Sequence, residues 1–192
     1  LGSDVGKLFN QLTGAIPADG YEMLMVAPHN LRHRFTELIQ REAAHANNGR
    51  PAAIRAKMNQ LQDKRIITEL YQAGQAGVPI TLNVRGLCCL RAGVAGLSEN
   101  IQVYSTLGRY LEHSRIYYFA NGGDPEIYIG SADWMRRNLD RRMETISPVL
   151  DPNIKRELVH ILDVLDRDNI TAWDMQPDGS YIRRQPQPGE LP

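Results

Sequence analysis

Hydrophobic residues recur along the chain at two spacings, one helical and one extended, and their order predicts alternating helices and strands. Residues 5–12 carry a short helical pattern. Residues 21–26, Tyr-Glu-Met-Leu-Met-Val, read as a mostly buried strand closed by Pro28. Asn30 is a good N-cap for a helix reaching about Asn48, with Leu31, Phe35, Leu38 and Ile39 on one face. Residues 52–58 form a second strand, and Asp63 caps a helix through Ile66, Ile67, Leu70 and Tyr71 that stops at Gly77. Residues 78–84 are a third strand. Strand, helix, strand, helix, strand argues for βαβ units, and so for an α/β fold with a mixed, partly parallel sheet flanked by helices.

The second half changes rhythm. A glycine-containing connection, residues 85–100, is anchored by Leu87-Cys88-Cys89-Leu90 and leads to a short strand at 101–104. Residues 113–119 are β-branched and aromatic, Asn121-Gly122-Gly123-Asp124 makes a turn, and residues 126–129 return, which predicts a hairpin. A short helix at 134–140 and a strand at 142–146 follow. Asp151-Pro152 starts a helix to about Asp166, with Ile154, Leu158, Ile161, Leu162 and Leu165 on one face. Residues 170–173 and 181–184 are short strands around an Asp178-Gly179 turn. Residues 1–184 thus read as one domain and the proline-rich 185–192 as a flexible tail.

Charge adds little to this picture. Lys and Arg together number 22 against 22 for Asp and Glu, so nothing points to nucleic acid or an anionic membrane. Arginine far outnumbers lysine, which suits bidentate contacts to phosphate or carboxylate. The two cysteines, Cys88 and Cys89, are adjacent, which fits a reducing, cytoplasmic setting better than a disulfide framework. No transmembrane segment is expected, and an opening Leu1-Gly2-Ser3-Asp4 without Met reads as part of a longer chain.

Candidate chemistry collects at strand ends, where ligands of such sheets gather. Lys57, Asn59 and Arg85 fall at those ends. On an extended strand His113 and Arg115 would share a face, and a titratable imidazole beside a permanent cation suits phosphate. Gly130-Ser131-Ala132-Asp133 supplies a hydroxyl and amides nearby. Spacing alone equally fits a surface hairpin with an incidental histidine. His29, His33 and His45 have no carboxylate or cysteine at metal spacing, so no metal site is assigned, and Arg109, Arg136, Arg137, Arg141 and Arg142 read as a solvated face.

Longer motifs decide between these readings. Asn83-Val84-Arg85-Gly86-Leu87-Cys88-Cys89-Leu90-Arg91, Arg109-Tyr110-Leu111-Glu112-His113-Ser114-Arg115-Ile116-Tyr117 and Ile129-Gly130-Ser131-Ala132-Asp133-Trp134-Met135 closely resemble the polyphosphate kinase family, as do Asn30-Leu31-Arg32 and Ala56-Lys57-Met58-Asn59. The resemblance implies the last of four domains, a phospholipase D-like half, in a homo-oligomeric enzyme. Its members move the terminal phosphate of ATP reversibly onto inorganic polyphosphate through a phosphohistidine, with Mg2+. That histidine belongs to a preceding domain, as do the nucleotide-stacking and magnesium positions. His113 matches the second active-site histidine and Arg85 an arginine on nucleotide phosphate, with Arg115, Lys57 and Asn59 as further phosphate-binding candidates.

The phospholipase D superfamily uses His-x-Lys, an Asp a few residues on, then Gly-Ser-x-Asn. Here Arg115 replaces the Lys, Ala120 stands where the Asp would, and Asp133 closes the last motif. Three functions therefore compete: a phosphotransferase half-site whose chain alone is inactive, a phospholipase D-type phosphodiesterase pairing two copies of His113, and a non-catalytic polyphosphate- or nucleotide-binding module. The lost Lys and Asp weigh against the second.

Overall fold

A computed structural model of the chain describes residues 1–14, 20–186 and 189. The elements run α1 (Gly2–Leu12), β1 (Met25–Ala27), α2 (Leu31–Asn47), β2 (Ile54–Met58), α3 (Lys64–Gln75), β3 (Ile80–Val84), β4 (Ile101–Thr106) and β5 (Ile116–Phe119). Then come β6 (Glu126–Gly130), α4 (Arg136–Asp140), β7 (Glu144–Pro148), α5 (Pro152–Arg167), β8 (Ala172–Met175) and β9 (Tyr181–Arg183). The strands form one sheet in the order β1-β7-β6-β5-β2-β3-β4-β8-β9. Only β2–β3 and β3–β4 pair in parallel; every other neighbouring pair is antiparallel. The mixed, partly parallel sheet read from the sequence is present, and most of the tail expected at 185–192 lies outside the described residues.

Alternation along the central strands builds two layers on the sheet. Ile54, Ala56 and Met58 of β2, Ile80, Leu82 and Val84 of β3, and Ile101 and Val103 of β4 share the main core with α2 and α3. The intervening residues face α5, where Ile116, Ile127, Val149 and Leu162 form a second, smaller core. Polar positions of that face are paired to α5 directly: Arg55 reaches Asp163 at 2.8 Å and Asp166 at 2.7 Å, and the Tyr104 hydroxyl donates to Asp166 at 2.6 Å. On the first face Phe35, Tyr117 and Trp134 stack with centroids 4.7–5.4 Å apart, each pair adding about 0.5–1.5 kcal/mol beyond burial.

Several expectations are corrected. The first strand is only Met25–Ala27, because the backbone N–H groups of Glu22, Met23 and Leu24 donate to the buried Asp4 carboxylate and so leave the ladder. It pairs antiparallel with β7 at the sheet edge, so only the second βαβ unit forms. Asn30 precedes α2 but does not cap it; its Oδ1 turns back to accept from Val26 N at 2.7 Å. Asp63 and Asp151 do cap α3 and α5. The α5 stripe is only half used: Leu162 and Leu165 are buried, while Ile154 and Ile161 are exposed.

The largest change is at the hairpin. Its first strand starts at Ile116, not His113, so His113 and Arg115 do not share a strand face. The turn expected at 121–124 is real, and Asn121, Gly122 and Gly123 all take positive φ there. The last strand of this sheet region begins at Glu144, two residues later than expected.

Candidate functional site

Because β2 and β3 are parallel and in register, Met58 opposite Val84, they deliver Asn59 and Arg85 side by side beyond their carboxyl ends. The two residues are locked together. Gly86 N donates to Asn59 O at 2.8 Å, and Arg85 donates to Asn59 Oδ1 from Nε at 3.2 Å and from a terminal nitrogen at 2.8 Å. A Cβ on Gly86 would stand 3.0 Å from that carbonyl, which explains the glycine.

The third contributor is the segment leaving β6. Gly130 lets it through, since a Cβ there would meet Thr145 O at 2.1 Å. The Tyr117 hydroxyl, its pKa pushed well up by burial, donates to Ala132 O at 2.5 Å and fixes the next step. Asp133 follows, buried at 4% exposure. Its Oδ1 accepts from Asn59 N at 2.8 Å, Asn59 Nδ2 at 3.2 Å and Arg115 Nε at 3.1 Å; its Oδ2 accepts from Arg115 Nη2 at 3.3 Å. Arg115 also donates to His113 O at 3.0 Å. One chain of contacts therefore runs from Arg85 through Asn59 and Asp133 to Arg115 and the backbone of His113.

These residues line a cavity of about 490 Å³. Asn59, Arg85, His113 and Arg115 meet there with Ser131 and Asp133. Lys57 does not. It sits inside β2, buried on the α5 face, where its ammonium pairs with Glu112 at 3.1 Å and contacts Ser114 O at 3.4 Å. Both partners flank His113, so Lys57 supports the loop carrying the histidine instead of facing the cavity. Glu112 and Asp133 thereby take distinct roles, one holding Lys57 and the other Arg115.

Arg137 and Arg142, read from sequence as a solvated face, line the same cavity, along with Glu144. Four arginines thus surround it against two carboxylates, and both carboxylates are committed: Asp133 to Arg115 and Asn59, Glu144 to the Asn138 amide at 2.5 Å. That donor set does not fit a magnesium ion, which wants free oxygen ligands. The signal for Arg137 and Arg142 was their place just after the Gly130–Asp133 motif. On its far side Arg85 also borders an apolar hollow of about 290 Å³ walled by Leu107, Trp173 and Tyr181.

A sequence model of the family described as polyphosphate kinase C-terminal domain 2 matches residues 24–191. The chain belongs to the polyphosphate kinase family. It is 56% identical over 190 residues to a polyphosphate kinase of Thermosynechococcus vestitus, covering 99% of this chain and 26% of the relative. A Synechocystis polyphosphate kinase is 57% identical over 186 residues, with coverages of 97% and 26%. The chain thus spans about a quarter of the length of these relatives. The crystal structure of polyphosphate kinase from Porphyromonas gingivalis superposes with a TM-score of 0.94 at 44% identity, over 98% of this chain and 29% of that one. Nuc, a phospholipase D family member from Salmonella typhimurium, superposes with a TM-score of 0.56 at 14% identity, over 79% and 95% of the two chains. The fold is therefore phospholipase D-like, as the hairpin motifs implied.

Proposed function

We propose that this chain forms one half of a polyphosphate kinase active site, in which the terminal phosphate of ATP passes reversibly to inorganic polyphosphate through a phosphohistidine carried by a domain outside the chain. The observation that carries the reading is the convergence of His113, Arg85, Asn59 and Arg115 on one cation-rich cavity. Phosphoryl transfer asks mainly for in-line positioning and for cations around the equatorial oxygens. Arg85, with one guanidinium edge fixed by Asn59, offers its other edge to phosphate. Arg137 and Arg142 add charge at the rim. His113, exposed on its loop, is free to protonate a leaving oxygen or to stabilise it as imidazolium. Arg115 is half-neutralised by Asp133 and acts chiefly as a positioning residue for the His113 backbone. Magnesium ligation falls to the other domains, as does the nucleophile.

The test is His113→Ala in the full-length enzyme, with polyphosphate synthesis as the readout. A large loss is the outcome required, and unimpaired synthesis would remove His113 from the mechanism. The isolated chain should take up no label from γ-labelled ATP; a labelled chain would contradict the half-site reading.

A further inference from the structure

A second basic hollow, of about 360 Å³, is built on the same two chain segments as the cavity that holds His113. Its walls include Arg32, Lys64, Arg65 and Arg136, together with the carboxylates Asp63 and Asp140. The two spaces share their flanking segments. Gln62 N and Asp63 N both donate to Trp134 O at 2.9 Å, so the chain after β2 runs alongside the chain before α4. Gln60 and Arg137 face the first space, Gln62 and Arg136 the second. A third hollow continues the strip past the shared residues Arg32 and Arg65.

The carboxylates here are already engaged. Asp63 caps α3 by accepting from Ile66 N at 3.1 Å and pairs with Arg32 at 2.9 Å. Asp140 pairs with Arg32, and with Arg136 at 3.6 Å. Lys64 and Arg65 are exposed, and among the described residues neither forms an ion pair, though the charge of Arg65 does act on Asp140. Two cations are therefore left facing solvent at the side of the reacting cavity, with Arg136 and Arg137 between.

We propose that this strip is a track for the distal phosphates of a polyphosphate chain whose reacting end lies near His113. The inference rests on the phosphotransferase reading above and adds where the bulk of the polymer runs. Its surroundings suit a linear polyanion: the hollow is open, its free cations Lys64 and Arg65 are consecutive residues of its wall, and its own lining holds no aromatic ring for a base. Exposed cation contacts are individually weak and are screened by salt, so a track of them rewards long chains at low ionic strength and does little for short ones.

The experiment compares the full-length enzyme with its Lys64→Ala/Arg65→Ala variant, following ATP formation from ADP with long-chain polyphosphate and with tripolyphosphate. Removing two exposed contacts should raise KM for long chains about three- to tenfold. The value of kcat, KM for ADP and KM for tripolyphosphate should stay unchanged, and the difference should shrink as salt is added. A charge-matched Arg156→Ala/Arg167→Ala variant on α5 should leave all of them alone. The track is refuted by an unchanged KM for long chains, by an equal rise with tripolyphosphate, or by an equal rise in the control variant; in each case normal turnover by the parent enzyme leaves the phosphotransferase reading standing. Failure of the parent enzyme to use polyphosphate of any length would overturn that reading itself.

Discussion

Asp133→Asn tests the central claim about the site, that one buried carboxylate holds Arg115, Asn59 and, through Asn59, Arg85. The substitution keeps the shape, removes the charge and turns one acceptor oxygen into a donor. Four hydrogen bonds converge on this carboxylate, three of them on Oδ1. The Arg115 and Asp133 side chains are 12% and 6% exposed, so the guanidinium left behind has little water to turn to. Removing one partner of a buried pair costs about 3–5 kcal/mol, and slight exposure places this case near the lower end. For a domain of this size about 3 kcal/mol corresponds to a melting temperature lower by roughly 6–12 °C. Chemical denaturation of the chain measures the loss, and a cycle with Arg115→Met isolates the pair: the double variant should recover at least about 1 kcal/mol relative to additivity. A loss under about 1 kcal/mol, or additive effects of the two changes, would refute the network as drawn.

Three further outcomes follow from single contacts. Gly130→Ala puts a Cβ 2.1 Å from Thr145 O and 2.8 Å from Ile146 Cα, both backbone atoms of β7, so the strands must part. A loss of about 2 kcal/mol or more is expected on denaturation, and one near zero would show that β7 shifts freely. Iodoacetamide should label the exposed Cys89 well before Cys88, whose thiol burial pushes up to about 11; tandem mass spectrometry of the peptide reads the order, and equal labelling would contradict it. Burial alone would raise the Glu126 carboxyl, but hydrogen bonds from Arg41 and Tyr128 outweigh it and hold the pKa below the usual value. A depressed folded value contributes stability that is present above the unfolded pKa and lost as pH falls through the folded one, so Glu126→Gln should flatten the decline in stability below about pH 4.5.

What the sequence disclosed, and what it withheld, divides along the range of the interactions. Local chemistry was legible: the Asp63 and Asp151 caps, the Asn121–Asp124 turn and the parallel β2–β3 pair around α3 each rest on a short stretch of chain, whereas the parallel pairing of β4 was not foreseen. The shortened first strand was not, because the group that takes its N–H donors is Asp4, some twenty positions away. The start of β5 was hidden for the same reason. β-Propensity carries the strand back to His113, but Arg115 is drawn out of the ladder by Asp133, eighteen positions on. Lys57 shows the limit of strand-end placement: it is near the right end of the sheet yet points to the other face, and the face depends on one step of register. Arg137 and Arg142 were passed over because an exposed arginine looks the same whether it faces bulk water or a cavity rim.

The departures from the phospholipase D pattern make sense as a pair once the geometry is known. Where that superfamily has His-x-Lys and Gly-Ser-x-Asn, this chain has His113-x-Arg115 and Gly130-Ser131-Ala132-Asp133. An asparagine at 133 would face Arg115 with a neutral amide and leave a nearly buried guanidinium uncompensated; a lysine at 115 would meet Asp133 with a point charge and could not bridge both oxygens. The fork of Arg115 does bridge them, at 3.1 and 3.3 Å, and still reaches the His113 carbonyl. Arg115 is thereby a structural clamp between Asp133 and the histidine loop. The other arginines of the cavity, Arg85 just after β3, Arg137 in α4 and Arg142 in the turn before β7, reach it from three separate segments.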